Sequence, residues 1–149
     1  MLKAKDIMTK NVIAANPETT IEELARTLIE HKISGAPVVD EDGNLYGIVT
    51  ENDLISQNKR FHIPTVVRLF DAFIMLESPG KLEKEMKKMA AVTVDEICSK
   101  DVITVTEDTS IEDIATIMAE KKAYLIPVID GKKIIGIIGK MDIIKGMSK

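Results

Sequence analysis

The chain carries the same pattern of residues twice, and this duplication limits the possible folds more than any other feature. The segment from Asp6 to Asp40 aligns with the segment from Glu96 to Asp130 at a constant offset. After a turn that is one residue shorter in the second copy, the alignment resumes with Gly47 opposite Gly136. An internal repeat of this kind predicts two copies of one structural unit.

Each copy shows the same order of secondary-structure signals. A short β-branched strand, expected at residues 12–13 and 102–105, precedes an amphipathic helix whose start is marked by hydroxyl residues. A proline-led strand, a turn, a second strand and a short closing helix follow. The apolar face of the long helix is predicted at Ile21, Leu24, Ala25 and Leu28 in the first copy and at Ile111, Ile114, Ala115 and Met118 in the second. The predicted unit is β-α-β-β-α.

A unit of about 55 residues has one apolar sheet face and little core of its own. Two copies are therefore expected to bury these faces against each other, which predicts an α+β fold with a pseudo-twofold axis. Such an arrangement creates two equivalent clefts where loops from both copies meet, and clefts of this kind are common ligand sites. The predicted boundaries are 1–56 for the first repeat, 57–93 for an insertion and 94–149 for the second repeat.

The insertion is predicted to be helical. One helix after Pro64 is apolar nearly all round, and a second, amphipathic helix begins near Pro79. The first interpretation is a helical linker that covers the paired core. The alternative is that Phe70, Phe73 and Met75 form part of a homodimer or partner surface. A homodimer is the expected oligomeric state.

Composition excludes several classes of function. A net charge of -4, a pI near 5.3 and 3% aromatic residues argue against nucleic-acid binding and against attraction to anionic lipid. The sequence contains no apolar run long enough to span a bilayer and no signal-peptide pattern, so a cytoplasmic location is expected. One cysteine and two histidines offer no spacing for a metal site.

The sequence contains none of the common catalytic templates. Walker-type, G-x-G-x-x-G, H-E-x-x-H and G-x-S-x-G motifs are all missing. We therefore expect a protein that is not an enzyme and that uses no catalytic cofactor.

The strongest local features are the two strand-to-helix corners, T-E-N-D from Thr50 to Asp53 and G-K-M-D from Gly139 to Asp142. The simple interpretation is helix capping, with an acid three residues after the N-cap. The functional interpretation is that each aspartate accepts hydrogen bonds from the two hydroxyls of a ribose, while Thr50 and backbone N–H groups hold ribose or phosphate. Both roles are compatible. Because only the first corner has a hydroxyl, we expect the first corner to bind ligand before the second corner does.

The pattern I-x-x-A-x-x-L-x-x-x-x-I-S-G-x-P-V-V-D followed by G-I-V-T-x-x-D resembles the CBS domain family, and its repetition resembles a tandem CBS pair, or Bateman module. The resemblance covers both repeats but not the insertion. It implies an adenosine-containing ligand, which could be AMP, ADP, ATP, S-adenosylmethionine or a cyclic dinucleotide. It also implies regulation by binding and no catalysis.

The resemblance also implies two sets of ligand-binding residues. The first set is Thr50, Asp53, Ile103, Thr104, Tyr124, Leu125 and Ile126, and the second is Ile13, Ala14, Ile33, Ser34, Gly35 and Asp142. For Tyr124, a simple rim position is an equally good interpretation. Many family members carry a basic residue just before the aspartate, where this chain has Asn52 and Met141. Lys32, Lys121, Lys122 or Lys140 could replace it, although a solvated charge is the simpler interpretation for each.

Three functional hypotheses follow. The first is a stand-alone cytoplasmic sensor that binds an adenosine-containing ligand and changes shape or affinity for a regulated protein. The second is a structural or assembly module with vestigial clefts, in which the insertion makes the functional contact. The third is an enzyme subunit whose catalytic machinery lies elsewhere.

Overall fold

The computed structural model describes residues 1–57 and 92–148. In each copy these residues form the predicted long helix, strand hairpin and closing helix, preceded by one extra turn of helix. The elements are α1 (Ala4–Ile7), α2 (Ile21–His31), β1 (Gly35–Val39), β2 (Leu45–Thr50), α3 (Glu51–Gln57), α4 (Val94–Ile97), α5 (Ile111–Lys121), β3 (Leu125–Asp130), β4 (Lys133–Gly139) and α6 (Lys140–Met147). The fold class is α+β, with two repeats of the same unit.

The chain divides into two compact units whose limits differ from those of the repeats. Unit 1 comprises Met1–Ala14, Val39–Gly47 and Lys100–Lys149, and unit 2 comprises Ala15–Val38 and Ile48–Ser99. Unit 1 thus contains most of the second repeat together with two segments of the first, and unit 2 contains the rest of the first repeat together with the start of the second. The predicted sequence boundaries at 56 and 94 stay a prediction.

Unit 1 is built on the antiparallel hairpin of β3 and β4. Leu125 pairs with Gly139 at one end and Asp130 with Lys133 at the turn, with an irregularity after Val128. Helix α5 packs on this hairpin through its apolar face. The residues of that face lie three and four positions apart, so they share one side of the helix. The core comprises Ala4, Val105, Ile111, Ile114, Met118, Ile126, Val128, Ile138 and Ile143.

Unit 2 has the same kind of arrangement, built from α2 and from the parts of strands β1 and β2 that lie in this unit. The face predicted for α2 is confirmed, since Ile21, Leu24 and Leu28 are buried. The hydroxyl predicted to start the helix is also confirmed, because Thr20 Oγ1 accepts a hydrogen bond from Glu23 N at 3.2 Å. Ser110 caps α5 in the same way. Local sequence signals therefore place both long helices correctly.

The first predicted strand of each repeat is much shorter than expected. Residues 12–13 form no strand, and one parallel bridge joins Ala15 to Val38. In the second repeat only Val105 pairs, with Val128. The chain leaves the sheet at once because Asn16 N donates to Thr19 Oγ1 at 3.0 Å, which starts a turn rather than a ladder.

Each of the one-turn helices α1 and α4 contacts the other repeat. Helix α1 lies at the start of the first repeat and contacts the second, and α4 lies at the start of the second repeat and contacts the first. In unit 1, Ala4 N donates to Thr109 O at 2.8 Å and the neighbouring Thr9 forms an antiparallel bridge with Ile137. In unit 2, Val94 N donates to Thr19 O at 2.8 Å. Each unit therefore depends on a segment that is distant in sequence, which the repeat pattern did not predict.

The insertion predicted at 57–93 lies almost entirely outside the described residues, and so do Phe70, Phe73 and Met75. Its predicted helices and its predicted role in a dimer surface stay predictions. Within the described ranges, every helix is too short or too polar to cross a bilayer.

Candidate functional site

The corner of unit 2 is formed where β2 ends and α3 begins. Asp53 Oδ2 accepts a hydrogen bond from Thr50 N at 2.8 Å, and the Thr50 hydroxyl lies 3.4 Å from the same oxygen. Glu51 N donates to Ser34 O at 2.8 Å, which ties the first residue of the helix to the start of β1. Asp53 is half-buried, so one side of the carboxylate is fixed by the backbone and the other side can reach solvent.

The corner of unit 1 is formed in the same way by β4 and α6. Asp142 Oδ2 accepts from Gly139 N at 2.8 Å, the same distance as in unit 2. Gly139 has φ −109° and ψ 177°, an extended conformation that any residue adopts. The backbone of Tyr124 and the side chain of Leu125 lie close by, each with an atom 4.0 Å from the position of a Cβ at Gly139. The predicted capping role of both aspartates is therefore confirmed.

The side chains around the two corners differ in charge and size. At the position of Ser34, unit 1 has Tyr124, which is 48% exposed. At the position of Glu51, it has Lys140, whose ammonium lies 5.1 Å from the centre of the Tyr124 ring. One corner thus carries two carboxylates in the first turn of its helix, and the other carries one carboxylate and one ammonium beside an aromatic ring.

A strained residue lies two positions before Ser34 in one repeat and two positions before Tyr124 in the other. Lys32 and Lys122 follow the long helices of the two repeats with φ of 53°, in the left-handed region that glycine normally occupies. Lys32 N donates to Ile29 O and thereby closes the last turn of α2. The strain is repeated in both copies, so it belongs to the structural unit and does not explain the difference between the corners.

The predicted ligand-binding residues are divided between the two units. Unit 2 holds Thr50, Asp53, Ile33, Ser34 and Gly35, and unit 1 holds Ile13, Ala14, Ile103, Thr104, Tyr124, Leu125, Ile126 and Asp142. Within unit 1, the structure brings Tyr124 and Leu125 to the Asp142 corner. The Ile126 side chain is fully buried in the core, so only its main chain could face a ligand. The grouping of these residues into two ligand sites stays a prediction.

Sequence reasoning undervalued Lys140. Its simplest interpretation was a solvated charge, whereas the structure places its ammonium over the ring of Tyr124. A sequence signal was present, because a lysine in the first turn of a helix opposes the helix dipole. A residue that breaks this rule usually has a local partner.

The carboxylates of the corners suit an alcohol ligand better than a metal ion. A carboxylate offers two oxygens, and in the described residues no hydrogen bond reaches Oδ1 of Asp53 or of Asp142. Such an oxygen can accept from a diol. Among residues 1–57 and 92–148, no three histidine, cysteine, aspartate or glutamate side chains are grouped as metal ligands.

Comparison with known proteins identifies the family. The family model described as "CBS domain" matches residues 4–60 and 94–149. The chain belongs to the CBS domain family. It contains two copies of the domain, so it is a tandem CBS pair.

A chloroplastic CBS domain-containing protein of Arabidopsis thaliana, CBSX2, is 28% identical over 94% of this chain and 61% of its own length. An inosine-5′-monophosphate dehydrogenase of Methanocaldococcus jannaschii is 28% identical over 96% of this chain but only 23% of the enzyme. The chain thus spans less than two thirds of either relative. CBS pairs occur as parts of larger proteins as well as in small ones.

Among solved structures, the CBS domain pair of protein MJ0100 matches with a TM-score of 0.72 and 29% identity. The match covers 100% of this chain and 99% of that one. That structure is a complex with 5′-methylthioadenosine and S-adenosyl-L-methionine. This likeness confirms the predicted α+β fold with two CBS repeats, while the helical insertion stays a prediction.

Proposed function

We propose that this chain is a regulatory module that binds an adenosine-containing ligand, which is AMP, ADP, ATP or S-adenosylmethionine, and acts as a cytoplasmic sensor. The observation that carries the proposal is the geometry of the aspartates. Each of Asp53 and Asp142 uses Oδ2 to cap a helix at 2.8 Å. Each carboxylate is therefore held in a fixed orientation, and its Oδ1 can accept from the two hydroxyls of a ribose.

The ligand class is supported by the relatives. The domain pair of MJ0100 was solved with two ligands, and both of them carry an adenosine group. Their shared part is the nucleoside, and the ribose diol is the group that a carboxylate recognises best. The side chains beside the carboxylate recognise the remainder of the ligand.

Regulation follows from binding if the ligand prefers one conformation or one assembly over another. A ligand can shift such an equilibrium only by its difference in affinity for the two states. CBS pairs generally act as regulatory modules, and the sequence contains no catalytic template. We therefore expect binding without turnover, and a regulated partner that is another protein or another domain.

Thermal unfolding in the presence of ligand tests this proposal. Full-length protein is heated with AMP, ADP, ATP, 5′-methylthioadenosine or S-adenosylmethionine, alongside a variant with Asp53→Ala and Asp142→Ala together. A ligand at a hundred times its Kd stabilises the folded state by about 2.7 kcal/mol, which is a shift of several degrees in Tm. The matched control is Glu120→Ala, which removes an exposed acid from helix α5.

The expected result is stabilisation of the wild type and of the control by at least one of these ligands, and none in the double variant. Equal stabilisation of the double variant would contradict the role of the aspartates. Steady release of phosphate or adenosine by purified protein, lost on Asp53→Ala, would contradict binding without turnover.

A second candidate function is assembly, and exposed apolar side chains favour it. Ile29 is 74% exposed, Ile55 60%, Ile144 54% and Met147 72%. Exposed apolar residues in helices are typical of contact surfaces when they lie together. We propose a homodimer as the working state of the sensor. Light scattering at tens of micromolar tests it, and a clean monomer with and without ligand would contradict it.

A further inference from the structure

We propose that unit 1 contains a docking site for a short peptide segment, that residues 2–9 fill this site within the chain, and that the same residues of a second copy can take their place. Residues 2–9 and 92–99 are the leading segments of the first and second repeats. The proposal does not depend on the adenosine ligand. It defines a contact between copies that differs from the exposed apolar side chains considered above.

The leading segment of the first repeat is held by main-chain hydrogen bonds to the second repeat. Near its start, Ala4 N donates to Thr109 O at 2.8 Å. At its end, Thr9 and Ile137 exchange two hydrogen bonds of 2.9 and 3.0 Å, which extends the edge of strand β4. Hydrogen bonding to a strand edge, combined with space for individual side chains, is a common mode of peptide recognition.

Two glycines of unit 1 leave space for side chains of this segment. A Cβ at Gly136 in β4 would overlap the Met8 side chain, to which all of its nearest atoms belong. A Cβ at Gly146 in α6 would lie 2.6 Å from Ile111 and 3.3 Å from Ile7. Glycine weakens both strands and helices, so its presence at these two positions indicates that the close approach of the segment is needed.

The leading segment has little stability of its own. Its helix α1 is a single turn, and a helix of that length does not persist alone in water. Ala4 is fully buried, whereas the other side chains of residues 2–9 are half-buried or exposed. Lys3 and Lys5 lie 3.7 and 3.6 Å from Asp108 in exposed ion pairs, which contribute little. The docking site therefore imposes the shape of the segment, as it would on a peptide from another chain.

The two repeats exchange their leading segments with each other. In unit 2, Val94 N donates to Thr19 O at 2.8 Å, and Ser99 exchanges two hydrogen bonds with Ile48, each of 2.9 Å. These contacts are the equivalents of those in unit 1. Two like units that trade an identical element have the connectivity of a swapped dimer within one chain. A second copy offers an identical segment and an identical docking site, so the same contacts can form between chains.

The exchange should be specific for unit 1. The position equivalent to Gly146 in the first repeat is Gln57, so this glycine is present in the second repeat alone. The leading segments differ as well, because Met8 corresponds to Cys98. We therefore expect the first leading segment of one copy to enter unit 1 of the other copy.

A fluorescent peptide of residues 1–14 tests whether the site accepts the segment from another molecule. In the wild type, the segment within the chain competes at an effective concentration of millimolar order, so the peptide should bind weakly. In full-length Ala4→Glu, a charge replaces the buried alanine and releases the segment. Fluorescence anisotropy should then show binding at least about tenfold tighter than to the wild type. A peptide with the same Ala4→Glu change should bind neither chain.

Ile7→Ala and Ile97→Ala form a matched pair that also covers the case in which Ala4→Glu does not fold. They truncate equivalent side chains of the two leading segments. Peptide affinity should rise about threefold or more in Ile7→Ala, because the competing segment is weakened. It should stay within about twofold of wild type in Ile97→Ala, whose segment lies in unit 2. Equal affinity for the two variants would overturn the docking site.

Zero-length cross-linking tests whether a second copy supplies the segment. A carbodiimide joins the Lys5 amine to the Asp108 carboxylate, which lie 3.6 Å apart. Wild-type chains grown with natural and with heavy nitrogen are mixed, unfolded and refolded together at several concentrations. Mass spectrometry of the cross-linked peptides should show mixed-isotope pairs whose share rises with protein concentration. Single-isotope pairs alone, at every concentration, would overturn the exchange.

Complementary variants enlarge the effect. Ala4→Glu has an intact docking site and a defective segment, whereas Gly136→Val has an intact segment and a docking site that is blocked where Met8 lies. In their mixture, most cross-links should join Lys5 of the Gly136→Val chain to Asp108 of the Ala4→Glu chain. The matched control mixes Ala4→Glu with a chain that carries both changes. It contains no intact segment and should give no such excess.

The failure of this inference differs from that of the proposed function. If adenosine ligands stabilise the chain while the peptide does not bind and no mixed cross-link forms, docking between copies is wrong and the sensor stands. If the peptide binds and mixed cross-links form without any ligand binding, the sensor is overturned and the docking site stands. A dimer in light scattering that gives only single-isotope cross-links associates through another face, which also overturns the exchange.

Discussion

The two strand-to-helix corners share one backbone arrangement and differ in the side chains around it. In both, an aspartate three residues into the corner accepts a hydrogen bond from the N-cap N–H at 2.8 Å. The N-cap itself is Thr50 in one copy and Gly139 in the other, and both residue types are good N-caps. The aspartate is therefore kept because the helix start depends on it, whereas the N-cap residue is free to change.

A duplication can therefore preserve a structural arrangement while the side chains around it change. Besides the N-cap, the residues that differ include Ser34 against Tyr124 and Glu51 against Lys140. Changes there leave the corner backbone intact. Four sets of variants test how far the two repeats are equivalent.

The largest expected effect lies in the core, where the two units should behave alike. Leu24 is 1% exposed and Ile114 0%, at equivalent positions of the long helices. Leu24→Ala and Ile114→Ala should each lower the free energy of unfolding by about 2–5 kcal/mol, because each leaves a cavity. Urea unfolding measures this. Glu30→Ala, at an exposed residue of α2, is the control and should stay within about 0.5 kcal/mol.

The next effect concerns the shared capping role of the aspartates. Asp53→Ala and Asp142→Ala each remove the acceptor of an N-cap N–H, which should cost about 0.5–2 kcal/mol in the free energy of unfolding. Asp→Asn at either position keeps one acceptor oxygen and should recover most of the loss. If one alanine variant loses stability and the other does not, the two corners are not equivalent as structural devices.

A smaller effect, a gain in stability, is expected from replacing the two lysines that have a left-handed backbone conformation. Lys32→Gly and Lys122→Gly should each raise the free energy of unfolding by about 1 kcal/mol, because both lysines have φ of 53°. Thermal unfolding measures the gain. The control is Lys121→Gly, inside α5, where glycine should instead cost about 0.5–1 kcal/mol. A loss at Lys32 or Lys122 would show that those side chains make stabilising contacts.

The smallest effect is expected from exchanging the N-caps. Thr50→Gly and Gly139→Thr should each change the free energy of unfolding by only a few tenths of a kcal/mol. A Cβ at Gly139 would lie 3.8 Å from Asp142 Oδ2 and 4.0 Å from Leu125, so there is room for threonine. A loss above about 1 kcal/mol in Gly139→Thr, measured by urea unfolding, would show that the unit 1 corner requires glycine.

Local sequence was sufficient wherever the information lies within a few residues. Periodicity placed α2 and α5 and their buried faces, and hydroxyl residues marked both helix starts. The capping role of Asp53 and Asp142 followed from their spacing alone. Gly43 and Gly131 lie in the two hairpin turns with φ of 80° and 65°, which glycine adopts without strain. These features are determined by short-range sterics and hydrogen bonding.

By itself, then, the sequence determined the repeated unit, its order of elements and the two capped corners. Only the tertiary structure decided that Ala4 and Val94 bind to the repeats they do not precede, and that the first predicted strands reduce to bridges at Ala15 and Val105. It also decided that Lys140 meets Tyr124. Each of these contacts joins residues that are distant in sequence or on different elements. Local propensity does not specify which distant surface a segment packs against, because that choice depends on the packing of the whole core.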